Sequence, residues 1–409
     1  MRHRRHRPRT RSVVLSTAAM TATAALVTTL LPHTGPAQST HTVGAQDQLS
    51  FQATPLLPDP FTTVDGAPVV TQADWADRQE EIRELAQENI YGPLPTAPEE
   101  VNGSVSDTAI TVEVADQGNN AQFSASVDLP AGTGPFPAVV VLGEFGADTE
   151  TLLASGAAVI GFDPYQVGAE GTSRDNKQGV FYDLHGSDSD TGLLMAWSWG
   201  VSRIIDVIEQ ADGSVLSTDT SGVTGCSRFG KGAFVAGAFD ERIDLTMPIE
   251  SGTAGVPALR AIAQEPEAQP LDSAYSEEPW LGDAFGPYTD APASLPVDTH
   301  EVVGLVAPRG LFVMENPHVD WLGATSGSVA ALGGAEIYTA LGVEGNISYW
   351  SDTQDGTHCA PQPEWAGPLR QNIEAFLLGT GTAPGAFEVS PQASGDLSEW
   401  RDWQTPELN

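Results

Sequence analysis

Ten residues, Val-Thr-Gly-Cys-Ser-Arg-Phe-Gly-Lys-Gly at 223–232, constrain this chain more than any others. A β-branched run closes in Gly225-Cys226-Ser227, and a small-residue helical pattern over 230–239 follows at once. A serine on a sharp strand-to-helix turn has its Oγ lifted above the sheet, and the helix N-terminus behind it offers N–H groups to a developing oxyanion. The general pattern of such an elbow is G-x-S-x-G. Here Phe229 stands second after the serine, and the glycine, Gly230, comes one place later. Taken alone, the stretch reads equally well as a strand followed by a Gly-rich turn.

The surrounding pattern decides the fold class. Residues 110–114 and 123–129 alternate apolar and polar side chains, as half-buried antiparallel strands do. Residues 136–142 and 157–162 are nearly continuous apolar runs, expected of central parallel strands covered on both faces. Further strands are predicted at 245–249, 310–314 and 347–350, with 302–315 read as a turn and a strand. Thr71-Gln72-Ala73-Asp74 resembles a capping box opening a helix that reaches Tyr91-Gly92-Pro93. Over 192–210, Leu193, Trp197, Val201, Ile204, Ile205 and Ile208 form one helical stripe. Helices are also predicted at 330–341 and 369–378, and no clean period survives over 254–299. Strand–helix alternation of this kind implies a three-layer αβα sandwich, here as a single domain over 46–409.

Residues 1–45 hold six arginines, no acidic residue and an Ala/Thr-rich apolar run over 13–31, with Val43-Gly44-Ala45 offering small residues for cleavage. This reads as a signal peptide and implies a secreted, extracellular protein. Its removal leaves 12 basic against 54 acidic residues, a formal net charge of −42. Nucleic acid and anionic membranes are poor partners for such a surface. In an oxidising compartment the chain's two cysteines, Cys226 and Cys359, most simply form one disulfide.

In a three-layer fold with a serine elbow, the catalytic order along the chain is serine, acid, histidine. Four histidines follow the leader, and of these His358 alone lies between the last strand and the last helix. It also adjoins Cys359, as Ser227 adjoins Cys226. Three carboxylates compete for the acid: Glu250 at the end of the strand after the elbow, and Glu315 and Asp320 after the following strand. Position leaves them open. Arg228 offers a backbone N–H and a guanidinium to an oxyanion or, alternatively, is a surface arginine paired with an acid. Lys231 reads as a specific contact or as a helix-surface lysine.

Gly225-Cys226-Ser227-Arg228-Phe229-Gly230-Lys231 resembles the G-C-S-R-x-G-K signature of the glucuronoyl esterases, carbohydrate esterase family fifteen. The resemblance extends through Leu57-Pro58-Asp59-Pro60-Phe61, Trp75, Tyr91-Gly92-Pro93-Leu94-Pro95, the loop carrying Arg174, Pro248-Ile249-Glu250-Ser251-Gly252, Pro279-Trp280 and Asp320-Trp321-Leu322-Gly323. It covers roughly residues 57–406. It implies an α/β-hydrolase fold and a serine esterase without cofactor or metal, acting on esters between 4-O-methyl-glucuronic acid of glucuronoxylan and lignin alcohols; a monomer is expected. Ser227 would be the nucleophile, His358 the base and Glu250 the acid, with Arg228 at the oxyanion. Lys231, Gln269, Glu277 and Trp321 would contact the sugar. The acid of some bacterial relatives would fall near Asn316, which is no carboxylate, and the further cysteines of fungal members are missing. Rival readings are an acetyl or feruloyl esterase, and a non-catalytic wall-binding protein on the same fold.

Overall fold

The continuous apolar runs become the centre of a ten-stranded sheet in the computed structural model, which describes residues 53–143 and 145–409. The predicted leader at 1–45, and Glu144, lie outside the described residues. The strands are β1 (Glu100–Val105), β2 (Ala109–Asp116), β3 (Asn119–Asp128), β4 (Phe136–Leu142), β5 (Ala158–Phe162), β6 (Leu216–Cys226), β7 (Leu245–Ile249), β8 (Gly310–Met314), β9 (Ile347–Trp350) and β10 (Phe387–Glu388). Their order is β1-β2-β3-β5-β4-β6-β7-β8-β9-β10. The pairs β1–β2, β2–β3 and β3–β5 are antiparallel, and every pair from β5 through β4 to β10 is parallel.

Successive side chains of a strand point to opposite faces, and the central strands feed two cores. Val139 and Val141 of β4 join Leu245, Met247 and Ile249 in one core, closed by Leu152, Trp365, Leu369 and Ile373. Ala138, Val140 and Leu142 join the other, with Trp197, Val201, Ile204 and Phe234. Helices Thr149–Ser155 and Pro363–Phe376 therefore cover the first face, while Leu193–Gln210 and Arg228–Phe239 cover the second. This is the three-layer αβα sandwich read from the alternation. Helix Arg228–Phe239 lies so close to the sheet that a Cβ on Gly237 would sit 1.9 Å from Thr246 Oγ1. That proximity is why a helix of weak formers is built here.

Several elements differ from expectation. Residues 299–306 are a helix, not a turn, opened by a capping box in which Asp298 and Glu301 satisfy each other's backbone N–H groups. Strand β1 was not foreseen because Glu-Val-Asn-Gly-Ser-Val has no clean alternation and is largely exposed. The C-terminal tail contributes β10, which was not predicted, and buries Leu397 and Trp403 in the core. The aperiodic stretch 254–299 holds two short α-helices, Leu259–Ile262 and Leu271–Glu277, and two 3-10 helices, Asp283–Tyr288 and Pro292–Ser294. The Thr71 capping box forms as predicted, and Leu57, Phe61 and Val69 anchor the preceding segment in the core.

Candidate active site

All parallel strands end on one edge, and ligands of such sheets bind outside the carboxyl ends. Strand β6 delivers Ser227 there with φ 60° and ψ −126°, a conformation that costs a non-glycine residue on the order of 1–3 kcal/mol. The two glycines of the motif make that turn possible. A Cβ on Gly225 would meet the Phe229 carbonyl oxygen at 2.6 Å, and one on Gly230 would meet the Ile249 carbonyl oxygen at 2.5 Å. The glycine is thus needed third after the serine, where helix and β7 touch. The second position is free for Phe229, whose ring covers Gly143 and packs on Tyr165 and Trp197.

Glu250 follows β7 with φ 45° and is fully buried. Its Oε2 accepts a hydrogen bond from His358 Nδ1 at 2.5 Å and another from the Cys359 backbone N–H at 2.8 Å. Asn316 Nδ2 lies 3.4 Å from Oε1. Of the three competing carboxylates, Glu250 is the one that reaches the histidine. Glu315 is fully buried beneath it, with Oε1 3.5 Å from the Ser251 hydroxyl; burial first, then the charge of Glu250, pushes its pKa well above the usual carboxylate range. Asp320 opens a single turn, Asp320–Leu322.

Cys226 and Cys359 are joined, tying the elbow to the His358 loop across 133 positions, with Cα atoms 5.8 Å apart. Potential donor atoms of Cys226, Glu250, His358 and Cys359 all lie within 4.8 Å of one another. Two of those donors are sulfurs bonded to each other, so the set lacks the thiolates that a sulfur-ligated metal requires.

Ser227 and His358 open into a cleft of about 510 Å³ whose walls include Arg228, Lys231, Gln269, Glu277, Trp280 and Trp321. Every predicted site residue except the buried Glu250 and the two cysteines therefore lines one cavity. Trp321 is 54 % exposed and meets His358 edge to face at 5.8 Å. Gln269 Nε2 donates to Glu277 Oε2 at 2.6 Å, and the Gln269 N–H holds the Trp321 carbonyl at 2.9 Å. The surface reading of Lys231 is excluded, since the residue is only 4 % exposed. Its Nζ donates to the carbonyls of Ser251 and Thr253 at 2.5 and 2.7 Å. Burial lowers its pKa to about 7, against the opposing pull of Glu315 and Glu277. Arg228 does pair with an acid, Glu170, at 2.6 Å, but at the lip of this cleft. Arg174 instead ties down the cleft's outer wall through the Leu281 carbonyl at 2.7 Å and the ring of Tyr275.

Sequence reasoning missed Glu170, and also the part Trp280 plays as a cleft wall. Glu170 lies inside a loop that the resemblance covers, but among 54 acidic residues nothing in the sequence singles it out.

Sheet order, elbow and buried carboxylate–histidine pair define the class: this is an α/β-hydrolase. The family described as "Glucuronyl esterase, fungi" matches residues 112–342. A 4-O-methyl-glucuronoyl methylesterase of Neurospora crassa is 38 % identical over 359 residues, 86 % of this chain and 89 % of that one. One from Thermothelomyces thermophilus is 40 % identical over 353 residues, 85 % and 87 % of the two chains. Among solved structures, a serine-to-alanine variant of the glucuronoyl esterase from Sporotrichum thermophile, in complex with methyl 4-O-methyl-β-D-glucopyranuronate, superposes with a TM-score of 0.81 at 36 % identity, covering 88 % of this chain and 97 % of that one. The chain belongs to the glucuronoyl esterase family.

Proposed function

We propose that this protein is a secreted, single-domain, monomeric serine esterase that cleaves esters of the 4-O-methyl-glucuronic acid carboxyl in glucuronoxylan, with lignin alcohols as the natural leaving groups. The observation that carries the reading is the Glu250–His358 bond held beside Ser227 by the Cys226–Cys359 link, at the mouth of a cleft lined with sugar-matching groups. Because Nδ1 of His358 is committed to Glu250, Nε2 is the ring nitrogen left to act as base.

In this reading Ser227 Oγ attacks the C6 carbonyl as His358 takes its proton. The Arg228 backbone N–H, at the first position of the elbow helix, and its guanidinium meet the oxyanion. Collapse of the tetrahedral intermediate expels the alcohol, protonated by His358, and water then releases the uronate from Ser227. Lys231, Gln269 and Glu277 supply hydrogen bonds for ring hydroxyls, and the Trp321 face suits the C–H side of a sugar. The complex of the Sporotrichum thermophile relative with a methyl glucuronate ester supports the choice of substrate.

Secretion rests on the leader-like composition of residues 1–45; among the described residues no helix is long and apolar enough to cross a membrane. Side-by-side assays on a methyl glucuronate ester, acetylated xylan and feruloyl esters test the reading. The first should be turned over far faster than the other two; a preference for acetyl or feruloyl release would replace it with a different carbohydrate esterase.

A further inference from the structure

We infer that Glu170 is a positioning residue for this reaction, holding the Arg228 guanidinium at the cleft and offsetting its charge; the inference rests on the function proposed above. Three donors from three separate segments converge on this one carboxylate. Arg228 Nη1 donates to Oε2 at 2.6 Å, the Tyr165 hydroxyl donates to the same oxygen at 2.8 Å, and Trp280 Nε1 donates to Oε1 at 2.6 Å. The Glu170 side chain is only 10 % exposed, whereas that of Arg228 is 36 % exposed and faces the cleft. The guanidinium also lies 5.7 Å over the Trp280 ring, and Tyr165 packs on Phe229 of the elbow at 5.7 Å. Glu170 thus links the elbow, the cleft wall and the arginine through bonds that the triad does not use.

Two consequences follow from the chemistry. A free arginine side chain at a cleft lip samples many rotamers, and ordering it when the oxyanion forms costs entropy. A carboxylate that already holds one edge of the fork removes most of that cost, leaving the remaining donors to face the substrate. The second concerns charge. The ester is neutral at its carboxyl, but the released uronate is an anion, and an uncompensated guanidinium beside Ser227 would retain it. Glu170 offsets the cation, so the site favours ester over free acid.

Steady-state kinetics on the methyl ester of 4-O-methyl-glucuronic acid, with free glucuronic acid as inhibitor, separate these effects. Glu170→Gln keeps shape and removes charge; kcat should fall about tenfold with KM within about twofold, and inhibition by glucuronic acid should tighten several-fold. Glu170→Asp keeps the charge but withdraws the carboxylate by one methylene; it should lose turnover while leaving inhibition near the native value. The double variant Glu170→Gln with Arg228→Ala should be within about twofold of Arg228→Ala alone. Native kinetics and native inhibition in Glu170→Gln, or losses that multiply in the double variant, would overturn the inference while leaving the triad in place. Native turnover in Arg228→Ala would remove the arginine's role in the proposed mechanism, and this inference with it.

Discussion

At Ser227 and Glu250 the backbone takes positive φ at two non-glycine residues, and both strains fall where parallel strands deliver side chains to one site. Strain of this kind persists only where the surroundings over-determine it. Here Gly225 and Gly230 allow the first, and bonds from His358 and Cys359 to Glu250 accompany the second. Ser227→Ala and His358→Ala should each lower kcat by several orders of magnitude in a chain that still folds, checked by kinetics alongside circular dichroism. Glu250→Ala should lose on the order of 10³-fold or more. Glu315→Gln should stay within about threefold of native, because burial and the charge of Glu250 already favour its neutral form. The opposite ranking of these two variants would transfer the acid to Glu315. The sequence could not make that distinction by position, since both residues end neighbouring strands. The family resemblance pointed to Glu250, and the path of the His358 loop, tethered at Cys359, brings the ring to that carboxylate.

Elements were legible in proportion to how strongly burial shaped their sequence. Strands β4, β7, β8 and β9 fall at the predicted residues, since almost every side chain in them is buried. Strand β1 and the two-residue β10 lie at the sheet's edges, where burial asks little of composition, and neither was foreseen. The cleft wall over 254–299 is assembled from helices and turns of three to seven residues, too short for a period to show. Strand β6, which ends at Cys226, and the His358 loop are separate elements joined by the Cys226–Cys359 bond. In the loop-entropy model a closure of 133 residues stabilises by about 4–5 kcal/mol. Replacing both cysteines by alanine should lower the free energy of urea unfolding by up to that amount, and turnover should fall further than any partial unfolding explains, because the base is no longer fixed against the nucleophile. Native turnover in a folded double variant would show that the tether serves stability alone.

For the molecule as a whole, the two ends of the described chain meet over helix Thr299–Val306. His300 there is fully buried, its Nε2 3.0 Å from the Pro58 carbonyl and its ring stacked on Trp403. Burial lowers its pKa to about 4, against a partial opposing pull from Asp298. A folded-state pKa below the unfolded value of about 6.5 contributes stability that is fully present above pH 6.5 and is lost as pH falls through about 4. That contribution is on the order of 3 kcal/mol. The gap in Tm between the native chain and His300→Gln should therefore shrink as pH is lowered from 6.5 to 4; a gap that stays constant would mean that His300 does not titrate with folding. The overall architecture also bears on selectivity. The polar groups Lys231, Gln269 and Glu277 line the same cleft as Ser227, and a site that pairs hydroxyls discriminates strongly against a sugar that presents them wrongly. With these groups engaged by the sugar, changing methyl to benzyl should alter kcat/KM only modestly. The most direct test of the account is kcat/KM on methyl glucuronate against methyl galacturonate, which inverts one ring hydroxyl. We expect the glucuronate ester to be preferred by about a hundredfold or more; equal rates on the two sugars, with a sharp dependence on the alcohol, would contradict the account.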